Sequence, residues 1–349
     1  MAQTLTISEV AAQAGVSTAT ITRVIRGDSN VRPETRKKVQ EVLNRTGYHV
    51  NAIAQSLRTK RVATVAHILH SLFPNPFCSH VARGLQNEAS LLGYEVVVYI
   101  SDYSSRLERE AVQAALRRRV DAVIFTTALD AANVAMAANA GIRVVQVERP
   151  TDVPSPTVTV DNYSGAREAT EHLITLGHRR ISFIGQEPQD AYVEHERLNG
   201  YLDAMHQAEL PTQVVLGQYS TTEADFQAPG RHYAEEVLSQ DDPPTAIFAA
   251  SDLLAAGVFQ VLYARGMKVP TDISVIGFDD TYASVLTPAL STVAVPTAEL
   301  GRAALRCAVE QPSEDHVKLR TQLVLRSSTG PAPSSFLGPT AQTKSDARI

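Results

Sequence analysis

From residue 61 onward, short β-branched and apolar runs alternate with helical stretches, and this rhythm constrains the fold more than any other feature of the chain. Strand, helix, strand in repeated succession is the pattern of parallel βαβ units. The spacing predicts strands over Val62–Leu69, Glu95–Ile100, Ala122–Phe125 and Arg143–Val147, with helices around Ser79–Leu92, Leu107–Arg118 and Ala131–Asn139. The rhythm resumes with strands over Ile181–Ile184, Gln213–Leu216, Ala246–Ala250 and Ile273–Ile276, and helices around Ser164–Leu176, Arg197–Ala208, His232–Ser239 and Leu253–Arg265. Two similar halves result, with room to cross between them near Val160-Asp161 and again between Asp279 and Val295.

The first 61 residues follow a different rule and predict three short helices. Thr6-Ile7-Ser8-Glu9 fits a capping box, in which a hydroxyl and a carboxylate satisfy the free amides of a helix start. The first helix should run from Ile7 to Ala14, with Ile7, Val10, Ala11 and Ala14 on one face. Gly15 suits a tight turn, and Ser17 suits the N-cap of a second helix from Thr18 to about Arg26, burying Val16, Ile21, Val24 and Ile25 against the first. A third helix should follow from Pro33 to Arg45, with the basic run Arg36-Lys37-Lys38 inside it. Helix, short glycine-containing turn, helix is the helix-turn-helix, whose second helix lies in the major groove with its first turn toward base edges. Thr18, Ala19 and Thr20 occupy that turn, and Arg23 could grip guanine. An ordinary helical hairpin gives the same pattern.

Charge speaks to the choice. The chain carries a formal net charge of −5, which taken whole argues against a nucleic-acid partner. Its distribution argues the reverse: residues 1–61 hold ten Lys or Arg against four Asp or Glu, a balance of +6, whereas the rest holds 22 against 33, a balance of −11. A basic head on an acidic body suits a protein that presents one end to DNA.

The stretches LTISEVAAQAGVSTATITRVIRG and VRPETRKKVQEVLNRTGYHVNAIAQSLRTKR resemble, in register, the N-terminal head of the LacI/GalR family of bacterial transcription regulators. The body resembles the periplasmic-binding-protein-like core of that family through Asp161-Asn162-Tyr163-Ser164-Gly165-Ala166, Leu176-Gly177-His178-Arg179-Arg180-Ile181, Arg197-Leu198-Asn199-Gly200-Tyr201 and Val275-Ile276-Gly277-Phe278-Asp279-Asp280. The expected fold is thus an all-α helix-turn-helix head plus an α/β core of two doubly wound parallel-sheet lobes. Its divisions are a DNA-binding domain at 1–50, a hinge and linker at 51–61, an effector-binding and dimerisation core at 62–326, and a disordered Pro-, Gly- and Ser-rich tail at 327–349.

The resemblance implies DNA contacts from Thr6, Ser17, Thr18, Ala19, Thr20, Arg23 and Arg26, and a hinge helix over Asn51–Leu57 that orders on operator DNA. Asn51, Ala54 and Leu57 belong to that contact set, Leu57 of each subunit wedging into the minor groove. Val50 stands where many members have proline, so the entry to the hinge is less fixed, and His49 suits either a phosphate contact or an exposed linker position. For the core it implies a small effector, carbohydrate-like, bound beyond the strand ends between the lobes. The candidate pocket is Phe73, Phe77, Thr126, Thr127, Glu148, Asp161, Arg197, Tyr219, Ser251 and Asp279. Glu148 and Asp279 can accept bonds from hydroxyls, Arg197 can donate a planar pair, and Phe77 and Tyr219 offer faces to a sugar's C–H surface. Such residues serve sugars, sugar phosphates and nucleobases alike.

The expected protein is a cytoplasmic bacterial regulator, associated with the nucleoid when bound, favoured as a repressor. It should bind a near-palindromic operator as a homodimer, with no membrane association, metal or cofactor. A secreted solute-binding protein would share the body but need a signal peptide, and MAQTLTISEVAAQAG has no basic segment followed by an apolar one. An enzyme using the cleft would need a catalytic constellation, and no dinucleotide, phosphate-loop, nucleophile-elbow or zinc-helix motif occurs. Cys78 and Cys307 are too few for a disulfide framework and read as buried packing residues.

Overall fold

The computed structural model describes residues 5–25, 30–46, 62–73, 75–186, 192–217, 227–310 and 315–333. They divide into two compact units, Met1–Val62 and Ala63–Ile349.

The head is built from α1 (Ile7–Ala14), α2 (Thr18–Ile25) and α3 (Pro33–Thr46). The capping box forms: the Thr6 hydroxyl accepts from the Glu9 amide while the Glu9 carboxylate accepts from the Thr6 amide at 2.6 Å. Bonds donated to it by the Thr6 amide and by the Thr6 hydroxyl hold the Glu9 carboxyl below its ordinary range. Gly15 ends α1 in the left-handed region at φ 63°, where a side chain would be strained. Ser17 caps α2 by accepting the Thr20 amide at 3.1 Å. The core is Val10, Ala11, Ala14, Ile21, Val24, Val39, Val42 and Leu43. Val16 is only half-buried at its margin, because the turn carries it outward, and so is Ile7 at the start of α1.

In the larger unit, β1 (Thr64–Leu69), β2 (Glu95–Ile100), β3 (Ala122–Thr126), β4 (Arg143–Val147), β5 (Thr157–Val160) and β11 (His316–Leu319) form one sheet in the order β11-β5-β4-β3-β1-β2, parallel throughout. Helices α4 (Phe77–Leu92), α5 (Ser105–Arg118), α6 (Ala131–Asn139) and α11 (Thr297–Val309) cover it. Successive residues of β3 go to opposite cores, Val123 and Phe125 to the α5 and α6 side, Ala122 and Ile124 to the other, so the strand is apolar on both faces.

The second lobe has β6 (Ile181–Gln186), β7 (Gln213–Gly217), β8 (Ala246–Ala249), β9 (Ser274–Asp279), β10 (Ser291–Ala294) and β12 (Gln322–Val324), in the order β12-β10-β9-β8-β6-β7. Its helices are α7 (Asn162–Thr175), α8 (Tyr192–Gln207), α9 (Ala228–Leu238) and α10 (Asp252–Ala264). The expected parallel sheet acquires one antiparallel edge strand, β12 against β10.

The chain crosses between lobes three times. The first crossing, after β5 at Asp161, lies where the sequence places it. The second falls at the far end of the expected span: residues 280–294 stay in the second lobe, where they form a 3-10 turn (Ala283–Val285) and β10, and the chain leaves at Val295-Pro296. The third, between β11 and β12 at Arg320-Thr321, has no counterpart in the sequence reading. Its strands are three and four residues long, with only Val317, Leu319, Leu323 and Val324 apolar, too little for an alternating pattern to register.

The expected tail from residue 327 requires correction. Residues 327–333 are packed on the second lobe: Ser328 is fully buried, its hydroxyl donating to the Val275 carbonyl at 2.6 Å and accepting from the Ser291 amide at 2.7 Å. The Gly330 carbonyl meets buried His178 at 3.1 Å, and the Ala332 amide donates to Leu176. Serine-rich composition suggests disorder, but here the hydroxyls satisfy backbone groups that the core would otherwise bury unpaired. Residues 334–349 lie outside the described residues. Cys78 and Cys307 are free and buried, as expected. Among the described residues no helix is long and apolar enough to cross a membrane.

The return of α11 to the first lobe depends on backbone contact with α4. A Cβ on Gly301 would stand 2.1 Å from the Val81 carbonyl oxygen, and one on Gly84 2.2 Å from that of Ala298. Gly301→Ala is therefore expected to destabilise the core by about 1–3 kcal/mol, read from the urea midpoint at unchanged m-value.

Candidate functional site

The strand ends of the two lobes carry the most constrained chemistry of the molecule. Arg197 sits on α8, 7% exposed, and every face of its guanidinium is engaged. Nε donates to Asn162 Oδ1 at 2.8 Å and Nη1 to the Ala250 carbonyl at 2.7 Å. Nη2 lies 3.2 Å from Asp279 Oδ1 and 3.6 Å from Glu148 Oε1, and the carbon at the centre of the guanidinium lies 3.8 Å from the centroid of the Phe278 ring. Asp279 ends β9 in the same lobe as Arg197, whereas Glu148 follows β4 in the other, so the Arg197–Glu148 pair spans the cleft.

Glu148 is 3% exposed, and neither of its oxygens has a hydrogen-bond partner among the described residues. Burial pushes its carboxyl up to about 7, against the opposing pull of Arg197. Burial also raises Asp279, again with Arg197 opposing. Behind Asp279, Asp252 at the start of α10 is pushed up to about 7 by burial and by the Asp279 charge. It accepts from the Thr292 hydroxyl at 2.6 Å and from the amides of Thr281 and Tyr282, fixing the turn that follows Asp279.

The backbone is held in uncommon conformations at these same points. Thr127, Glu148, Asp279 and Asp280 all have positive φ, at 59°, 69°, 106° and 57°. Positive φ on residues with side chains costs on the order of 1–3 kcal/mol each and concentrates where function requires it. Here it turns the chain off the ends of β3, β4 and β9.

The remaining candidates divide. Thr126 is fully buried with its hydroxyl 2.8 Å from His67 Nε2, and Phe77 opens α4 with its ring in the core and its amide bound to Asn75 Oδ1. Thr127 is half-buried. Asp161 and Ser251 spend oxygens on capping helices: Asp161 accepts from the Ser164 amide and pairs with Lys318 at 3.4 Å, and Ser251 accepts from the Leu254 amide. Phe73 is 70% exposed. Tyr219 lies outside the described residues. Three residues that the sequence reading left out prove central: Asn162 and Phe278, which hold Arg197, and Asn75, whose side chain bonds Asp279. Asn162 and Phe278 stand beside chosen residues inside motifs already singled out, so adjacency was the available signal; Asn75 had none.

In the head, Thr18, Ala19 and Arg23 are exposed on α2. Thr20 is half-buried with its hydroxyl 2.9 Å from that of Ser17, so it closes the turn. Thr6 and Ser17 each serve as caps. Arg26, Asn51, Ala54 and Leu57 lie outside the described residues.

Residues 6–51 match the bacterial regulatory proteins, lacI family, and residues 170–329 the periplasmic binding protein-like domain. The chain is 33% identical over 321 residues to catabolite control protein A of Priestia megaterium, covering 90% of this chain and 94% of that protein. The chain belongs to the LacI family. This LacI-family protein also resembles the lac repressor dimer bound to operator and the anti-inducer ONPF, with TM-score 0.77 and 25% identity over 94% of this chain and 100% of that one. For the complex of the transcriptional regulator CelR with cellobiose the values are 0.68 and 31%, over 93% and 99%. Membership makes the chain a DNA-binding transcription regulator, and its relatives are transcriptional regulators rather than enzymes.

Removing the guanidinium would leave two buried carboxylates uncompensated. Arg197→Ala is expected to cost about 3–5 kcal/mol at pH 8, measured by chemical unfolding of the core. Protonation of Glu148 below its raised value of about 7 should make the loss smaller at pH 5.

Proposed function

We propose that the protein is a cytoplasmic repressor that binds a near-palindromic operator as a homodimer and changes affinity when a small carbohydrate-like effector enters the cleft between its lobes. The observation that carries this reading is the combination of an α2 first turn with exposed Thr18 and Ala19 and a buried charge pair, Arg197 with Glu148, that joins the two lobes. Exposed Thr18 and Ala19 suit thymine methyls and phosphates, and Arg23 suits guanine. The hinge residues Asn51, Ala54 and Leu57 take the minor-groove role that the family resemblance implies.

Pairing through the bodies is supported by an apolar margin on the first lobe. The edge strand β2 exposes Val98 and Ile100, and the end of α4 exposes Leu91 and Leu92. A twofold dimer would cover this margin and set two recognition helices about 34–36 Å apart, one turn of DNA. Effector and DNA then act on one conformational equilibrium, so each changes the other's affinity by the same factor. Cellobiose in the CelR structure and the anti-inducer in the lac repressor structure support a sugar-class effector. The cleft's groups serve binding, and the protein is not an enzyme.

Deleting residues 1–61 should abolish the operator gel shift and leave a dimeric core by sedimentation; a truncated protein that still shifts operator would contradict this division of labour. Leu57→Ala is expected to weaken operator binding about tenfold or more while leaving the thermal response to effector intact, because one wedge residue per subunit supports the bent duplex. Equal operator affinities in a titration would remove the wedge.

A further inference from the structure

At the cleft the carboxylates of Glu148 and Asp279 meet the Arg197 guanidinium, with Arg149 adding a second positive charge, and the pairing is unequal. Asp279 has Arg197 at 3.2 Å and the Asn75 side chain. Arg197 in turn has all its donor nitrogens occupied by Asn162, Ala250 and Asp279. Glu148 is left at 3.6 Å from Arg197, beyond hydrogen-bond distance, with both oxygens buried and neither in a well-formed hydrogen bond among the described residues; the Asn162 side chain, already bonded to Arg197 through its oxygen, is the neutral donor that lies near it. A carboxylate that supported the fold would be expected to accept bonds, as Asp252 does from Thr292, Thr281 and Tyr282. Buried oxygens without donors cost stability, and they persist where another molecule supplies the donors. The left-handed backbone at Glu148 is a second cost at the same residue.

We propose that Glu148 sets the charge class of the effector: the cleft takes an uncharged or cationic polyol that presents a hydroxyl or amino donor to Glu148, and it rejects ligands that bring a phosphate or carboxylate to that point. The inference rests on the effector role proposed above and narrows it, because the residue types alone admitted sugars, sugar phosphates and nucleobases equally. Arg197 and Arg149 already face Glu148 and Asp279, with Asp252 behind Asp279, so an anionic ligand would meet no surplus of positive charge. Placed against Glu148, an anion would add like charge in a medium of low dielectric. An amino group would instead complete an ion pair, and a hydroxyl a charge-assisted hydrogen bond.

The groups facing Glu148 are Arg197 from α8, Asp279 from β9, the Asn162 side chain of α7, Arg149 beside it and the Cys78 thiol of α4, with Asp252 behind Asp279. Its carboxyl is raised to about 7 when folded, above the ordinary 4.5, so its contribution to stability is fully present at low pH and is lost as pH rises through about 7.

The test uses the full chain and Glu148→Gln. At pH 8 the neutral isostere is expected to raise the core's melting temperature by about 2 °C or more, and at pH 5 the gain should vanish. An unchanged or lower melting temperature at pH 8 would make Glu148 a structural partner of Arg197 and overturn the proposal. The parent is then screened by thermal shift with matched sets on pentose, hexose and β-linked disaccharide scaffolds, each as the neutral sugar, the amino sugar, the phosphate and the aldonate. Stabilisation by neutral or amino members, weakened about tenfold or more in Glu148→Gln, is expected. A phosphate or aldonate that stabilises more than its neutral counterpart overturns the assignment. An operator affinity identical with and without a saturating stabilising sugar would instead defeat the effector role while leaving the charge class of the cleft intact.

Discussion

A single buried guanidinium organises the cleft. Arg197 is held by an asparagine side chain, a backbone carbonyl and an aromatic ring from its own lobe, and it reaches one carboxylate in each lobe. A buried ion pair contributes little net stability compared with a hydrophobic pair of the same volume, because desolvation cancels most of the attraction. What it contributes is conditional geometry. The lobes approach where a charge in one can be compensated by a charge in the other, and the compensation to Glu148 is incomplete. A cleft built in this way is sensitive to any molecule that supplies hydrogen-bond donors.

The parallel sheets explain why that chemistry collects where it does. In both lobes the strand ends of β3, β4 and β9 point toward the cleft, and the side chains that follow them emerge at the same level. The backbone is turned sharply there, with Thr127, Glu148 and Asp279 at positive φ. Asp252 stabilises one of those turns through two amides and a hydroxyl, so the position of Asp279 depends on a residue whose own bonds all stay within the second lobe.

Much of this was legible in the sequence, for identifiable reasons. Apolar runs such as Val144–Val147 are buried on both faces and therefore announce themselves as strands, and Glu148 and Asp279 follow such runs directly. The capping box at Thr6 is a local signal, satisfied by residues three apart. Tertiary partners were invisible. Nothing near Asn75 indicates that it will meet Asp279, some two hundred residues away, and nothing in α11 indicates that the helix returns to the first lobe. Asp161 and Ser251 were read for what they could offer a ligand, although an acidic or hydroxyl residue just before a helix is as readily an N-cap, and both are. The serine-rich segment after residue 326 misled in the opposite direction, because composition cannot show that Ser328 completes bonds inside the second lobe.

The three crossings also govern the order in which the molecule can be assembled. The first lobe draws on residues 64–160 and again on 297–319, and the second on 162–294 and again on 322–333, so neither is a continuous stretch of chain. During synthesis both sheets wait for edge strands that emerge almost last, β11 and then β12, only two residues apart. The lobes are thus committed to finishing together. A break in the chain near residue 310 would strip an edge strand from each at once, so the core should behave in folding as one cooperative body even though it works as two.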